Sequence, residues 1–236
     1  MNRGFKVLFL SIVTMSLLAG GSFAADDKTG PNVGGKEAAA PDKLSGVATV
    51  ETASNLAIWA RANKDPVTLA TAAKVLSSAG ATPMENPKKA PEAPKTPADA
   101  GKQAPAPKEF TPASLLAEAR TMAGDNKEQL TAIDAIEKSI TTARGAVGGP
   151  KVDDDVLAPG EAMDYTIVFA GDEPMDIAVV TDIAGAIRFK VYDENGNQIT
   201  TDYTDHFEMT PRWTGPFKIV LTNETAGYVP YGFATN

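Results

Sequence analysis

Asp153-Asp154-Asp155 is the densest group of chemically capable side chains in this sequence. Adjacent carboxylates offer hard oxygen donors, and Ca²⁺ takes about six to eight of them. Glu161 and Asp164 follow closely enough to complete a set if the chain folds back. The plainer reading is a solvated acidic linker, so the cofactor expectation is none, with calcium as the alternative. Asp193-Glu194-Asn195-Gly196-Asn197 has a similar composition. Its Gly stands fourth rather than sixth, and Thr204 takes the place of the closing Glu, so a hairpin turn is expected there instead.

Other chemistries are narrowed by what the chain holds. With no Cys, thiolate zinc sites, cysteine nucleophiles and disulfide scaffolds are excluded. His206 is the lone imidazole. Acyl transfer of the triad type needs a nucleophile, a base and an orienting acid. No nucleophile-elbow sequence accompanies His206, which reads as a surface side chain beside Asp205. HExxH, a Gly-rich phosphate loop and a dinucleotide fingerprint are all missing. Two of the 30 acidic residues meeting in space would leave an unrecognised carboxylate-dependent hydrolase as an alternative.

Trp213, Tyr203, Tyr228 and Tyr231 are candidates for an aromatic platform that binds sugar or peptide, or else they fill the core and its rim. Arg61 and Arg120 would make a paired anion site or two solvated helix faces. Asn223-Glu224-Thr225 is an N-glycosylation sequon. The net charge of −8 over 236 residues disfavours nucleic acid as a partner, since phosphate binding needs clustered Lys and Arg.

The elements that must position these residues fall into distinct stretches. Residues 1–24 carry Arg3 and Lys6, an uncharged run from Val7 to Leu18, and then Ser22-Phe23-Ala24. Those are the parts of a secretory signal peptide. The run is shorter than the roughly 20 residues a membrane span requires. No stable membrane insertion is expected after cleavage, and the destination is the periplasm or the extracellular space. Residues 25–48 are polar and expected to be disordered.

Residues 49–80 read as a helical hairpin, with Asp65-Pro66 capping the second helix and Gly80 closing it. Residues 81–110 form a linker rich in Pro, Ala and Lys, expected to be extended. Residues 111–148 repeat the hairpin, with Thr111-Pro112 as cap, Gly124 as stop and Asp125/Glu128 at capping-box spacing. Leu130, Ile133, Ile136 and Ile140 draw one apolar stripe. Leu56–Arg61 and Leu115–Arg120 align as a weak internal repeat, and the two hairpins are expected to pack as a four-helix unit.

From Lys151 the period changes to two. Tyr165, Ile167 and Phe169, then Ile187, Phe189 and Val191, then Phe217, Ile219 and Leu221 alternate with polar or smaller residues. Asn195-Gly196 signals a hairpin, and six to eight short strands suggest a β-sandwich. The expected fold class is α+β multidomain. A helical-hairpin or four-helix unit with a disordered proline-rich spacer precedes an antiparallel, jelly-roll-like sandwich over 152–236. The two bodies are expected to fold independently.

Lys190–Ile199 resembles the strand-turn-strand of bacterial pre-peptidase C-terminal domains, and Thr214–Asn223 resembles their late strand. Asp164-Tyr165 entering a strand also fits. The resemblance implies a non-catalytic sandwich of the kind appended to secreted enzymes, some of which bind calcium or polymeric substrates. Gly185-Ala186-Ile187-Arg188-Phe189 stands where the family carries Asp-x-Asp-Leu. The function expected is that of an exported, non-enzymatic binding protein of the cell envelope or secretome, its partner a protein or polysaccharide. A calcium-stabilised accessory protein is the alternative.

Overall fold

Local capping chemistry sets where each helix begins. In the computed structural model, which describes residues 28–34, 45–84, 109–140, 149–200 and 205–236, α1 spans Gly46–Asn63. The expected leader, nearly all of the proline-rich spacer and Tyr203 lie outside the described residues. Ser45 caps α1, its Oγ accepting the Ala48 N–H at 2.9 Å, so the helix starts before the expected Thr49. Gly46, Val47 and Thr49 are weak helix formers. The cap and the burial of Val47 and Val50 outweigh that weakness. The left-handed Lys64 ends α1, and Asp65 caps α2 (Pro66–Ser78) through the Val67 and Thr68 N–H groups.

Thr111 and Ser114 bond reciprocally to start α3 (Pro112–Ala123), which Gly124 closes at φ +55°. The cap of α4 (Lys127–Ile140) is Asn126, not Asp125, with its Oδ1 accepting from Glu128 and Gln129. Buried side chains of all four helices, among them Val50, Leu69, Leu115 and Ile133, form a single core. Leu130, Ile136 and Ile140 pack against it, and α2 touches each of the other three helices. The hairpins are therefore one four-helix unit.

The strands are β1 (Thr82–Pro83), β2 (Lys151–Leu157), β3 (Ala162–Phe169), β4 (Met175–Val180), β5 (Ile187–Tyr192), β6 (Gln198–Thr200), β7 (His206–Met209), β8 (Gly215–Asn223) and β9 (Val229–Thr235). They build two sheets, in the orders β1-β2-β9-β4-β7 and β3-β8-β5-β6. Every pairing is antiparallel except β1 with β2. The alternating residues expected to point inward do so: Tyr165, Phe169, Phe189, Val191, Phe217, Ile219 and Leu221 share the sandwich core, with Ile167 at its edge. Tyr165 stacks on Phe233 with centroids 4.2 Å apart.

The two bodies meet at a junction built by α1. Helix α1 lies on the outer face of β4 and β9. Ala178 and Ala234, which alternate away from the sandwich core, are buried in the helical core. Strand β4 is consequently buried on both faces for most of its length. Small residues at the contact let the helix and the sheet approach closely.

Candidate functional site

The Asp triplet lies inside β2, so strand geometry sends neighbouring side chains to opposite faces. Asp153 turns inward, and its Oδ2 accepts the Tyr165 hydroxyl at 2.7 Å. The Tyr231 hydroxyl lies 2.8 Å from that of Tyr165. Burial, reinforced by Tyr231 and Asp153, pushes the Tyr165 phenol far up. Asp154 faces the helical unit and its Oδ2 accepts the Phe110 N–H at 3.1 Å. Burial pushes Asp154 up to about 6; the Phe110 bond opposes this and the Asp153 charge adds to it.

Asp155 accepts the N–H of Val156, Glu161 that of Ala158, and Asp164 pairs with Lys218 at 2.6 Å. The five expected calcium ligands thus meet different partners. Among the described residues, no three His, Asp or Glu side chains are grouped to hold a metal.

Nor do the three described aromatic candidates form a platform. Tyr231 is a core residue bonded to Tyr165. Trp213 is buried, its indole N–H donating to Glu194 and its ring 5.1 Å from the Arg212 guanidinium. Tyr228 is half-buried just before β9, and Tyr203 lies outside the described residues. What holds the Trp213 loop is Asn32, within the stretch expected to be disordered. Its buried amide accepts from the Arg212 and Trp213 N–H groups at 2.8 and 3.1 Å and donates to the Trp213 carbonyl at 3.0 Å. The Asn32 N–H donates to Asp193, which also accepts from Asn195 and Asn197. Burial pushes Asp193 up, but these donors outweigh it and hold the carboxyl below its ordinary range. The 193–197 segment is accordingly an Asx-type turn filled by N–H donors.

Two further expectations are changed by burial and pairing. Asn223 is fully buried, and its Nδ2 donates to the carbonyls of Leu157, Ala158 and Gly227. The sequon nitrogen is therefore closed to a glycan in the folded chain. Arg61 binds Glu118 through Nε at 2.9 Å and Nη2 at 2.7 Å, tying α1 to α3. Arg120 binds Asp134 and Glu137, tying α3 to α4. Neither arginine is left for an anion pair.

His206 is not the solvated side chain expected. Its Nδ1 lies 2.8 Å from Glu51 Oε2 on α1, and its Nε2 lies 3.0 Å from Asp176 Oδ1 on β4. Asp176 is buried, and its Oδ2 accepts the Ser45 hydroxyl at 2.5 Å. The Nε2 contact is ionic rather than a directed hydrogen bond, since Oδ1 has none. Burial pulls the imidazole down, but the Glu51 bond and the charges of Asp176, Glu51 and Glu208 raise it above its ordinary value. Ser45 is bonded to the carboxylate rather than to the imidazole, which is not the geometry of an activated nucleophile. Ser45, Glu51, Asp176 and His206 instead clasp the start of α1 to the sheet. Nothing in the sequence singled out Ser45, and the carboxylates come from distant segments.

Above Asp154, between α1 and the outer face of the five-stranded sheet, lies a half-open cleft of about 410 Å³. Ser54, Ile58, Arg61 and Ala62 line it from one face of α1, a spacing of four, three and one. Val180, Pro230 and Gly232 line it from the sheet, and Phe110, Asp155, Thr181, Asp182 and Tyr231 complete the wall. A Cβ added to Gly232 would stand 3.2 Å from Asp154 Oδ1, so the glycine leaves room beside that oxygen.

No protein-family model matches this chain, and no curated protein does. Solved structures similar to part of this chain include three at low identity. One is PliG from Aeromonas hydrophila, a periplasmic lysozyme inhibitor of g-type lysozyme, at 14% identity, covering 37% of this chain and 84% of that one with TM-score 0.32. Another is the pre-peptidase C-terminal domain of collagenase from Bacillus anthracis, at 17% identity, 36% and 87% coverage and TM-score 0.30. A de novo designed double-stranded β-helix follows at 14% identity, 36% and 97% coverage and TM-score 0.24. At these values the likenesses do not bear on activity. No helix among the described residues is long and apolar enough to cross a membrane.

Proposed function

We propose that the chain is an exported, non-catalytic binding protein of the cell envelope or secretome, and that its ligand enters the cleft between α1 and the five-stranded sheet. The cleft carries this reading. It has the volume of a ligand site, it combines apolar walls with a few polar groups, and both halves of the protein build it. The non-catalytic part is supported by His206 and Ser45, whose polar atoms serve the clasp. The sandwich is proposed to be an accessory domain like those of the pre-peptidase C-terminal family, on the strength of the Lys190–Ile199 and Thr214–Asn223 motifs.

Ala62 is exposed at the cleft wall, so Ala62→Trp plugs it without entering the core. Tagged wild-type and Ala62→Trp proteins are presented to the exported fraction of the source cells. A species retained by the wild type and lost by the variant is expected; equal retention overturns the cleft as the binding site. N-terminal sequencing of the exported protein should begin at Ala25, and retention of Met1 in the cell pellet overturns export.

A further inference from the structure

We infer that the cleft takes a lysine side chain presented by a partner polypeptide, with the ammonium on Asp154 and the aliphatic stem along Ile58, Val180 and Pro230. This rests on the binding reading above and names the class of ligand.

Charge comes first. The cation of the cleft, Arg61, is neutralised by its bidentate pair with Glu118. Asp154 and Asp182 have no such cationic partner in the wall, so the opening is electronegative on a chain of net charge −8. Complementarity of this sign attracts cationic partners and repels anionic ones.

The geometry of Asp154 then separates lysine from arginine. Oδ2 is taken by the Phe110 N–H, and Oδ1 accepts no hydrogen bond among the described residues. Oδ1 lies over Gly232, where the missing side chain leaves room. A single open oxygen suits a compact ammonium, whereas a guanidinium fork makes its best contact with both oxygens of a carboxylate. Withdrawal of Asp154 from water makes an incoming cation worth more, because it replaces hydration already lost.

The apolar walls provide the remainder. A lysine stem covers apolar surface while its charge reaches a polar group. A cleft of about 410 Å³ exceeds one such side chain and accommodates flanking backbone and a small apolar neighbour.

The probes are acetyl-Leu-Lys-amide, its Nζ-acetylated form and acetyl-Leu-Arg-amide, titrated into the full ¹⁵N-labelled chain and followed by NMR. The lysine peptide is expected to shift amides of residues 54–62, 180–182 and 230–232. Acetylation of Nζ and Asp154→Asn should each weaken it about 10- to 100-fold, the usual span for a hydrogen bond to a charged group. Ala62→Trp should abolish the shifts, and the arginine peptide should bind more weakly than lysine. Equal binding of the acetylated peptide, blocked by Ala62→Trp, overturns the ammonium while leaving the cleft as the binding site. Binding indifferent to Ala62→Trp overturns both, and no binding of any peptide overturns the lysine assignment alone. Asp154→Asn is nearly isosteric, and an unchanged NMR spectrum away from the cleft separates lost recognition from lost fold.

Discussion

Replacing His206 with Gln tests whether the clasp joins the helical unit to the sandwich. The substitution removes the imidazolium lying 2.8 Å from Glu51 and 3.0 Å from Asp176. Asp176, with only 6% of its side chain exposed, keeps the Ser45 hydroxyl but loses its cation. A hydrogen bond to a charged group is worth about 1.5–3 kcal/mol. His206 itself is about one-third exposed, which screens part of that, so ~2 kcal/mol is expected. For a chain of this size each kcal/mol corresponds to about 2–4 °C of melting temperature. The variant should therefore melt roughly 4–8 °C lower at pH 5.5.

The sign of the pH dependence follows from the raised imidazole. A histidine whose folded pKa exceeds its unfolded value contributes fully below the unfolded value of about 6.5, and loses that contribution as pH rises through the folded one. The gap between wild type and His206→Gln should thus narrow at pH 8.5. Thermal unfolding followed by circular dichroism at both pH values measures it. An equal gap at both, or one under about 1 °C, refutes a charged clasp.

Other substitutions have distinct expected outcomes. Asn223→Ala strands three carbonyls and should cost about 3 kcal/mol in urea unfolding, one of the larger single losses in the sandwich. Asn32→Ala should raise hydrogen exchange at residues 211–214 and change Trp213 fluorescence, and unchanged exchange would deny that residues 28–34 hold that loop. Asp154→Asn should raise the melting temperature above pH 6, since a carboxyl pushed up by burial costs stability once it ionises, and the gain should vanish near pH 4. Millimolar Ca²⁺ should leave the melting curve in place, because the five carboxylates have separate partners; a rise lost in Asp153→Asn/Asp155→Asn would contradict this.

Local chemistry was legible residue by residue. Asp65-Pro66, Thr111-Pro112 and Gly124 mark helix ends because capping acts over a few bonds, and the structure uses all three as read. Alternation through Tyr165–Phe169 and Phe217–Leu221 reports which face of a strand avoids water, and those faces meet in one core. The capping misread at Asp125 has the same scale: the two residues after Gly124 compete for one position, and Asn126 takes it.

What the sequence could not specify is which distant segments meet. Asp153 and Asp154 are adjacent in the chain, yet one bonds Tyr165 inside the sandwich and the other faces a helix about 100 residues upstream, because β2 alternates its faces. Asn32, Ser45 and Glu51 carry no pattern of their own and gain roles only where folding brings them to Trp213, Asp176 and His206. Periodicity is written along the chain; the packing of α1 on β4 and β9, and the cleft it leaves, depend on complementary surfaces whose match exists only once both have formed.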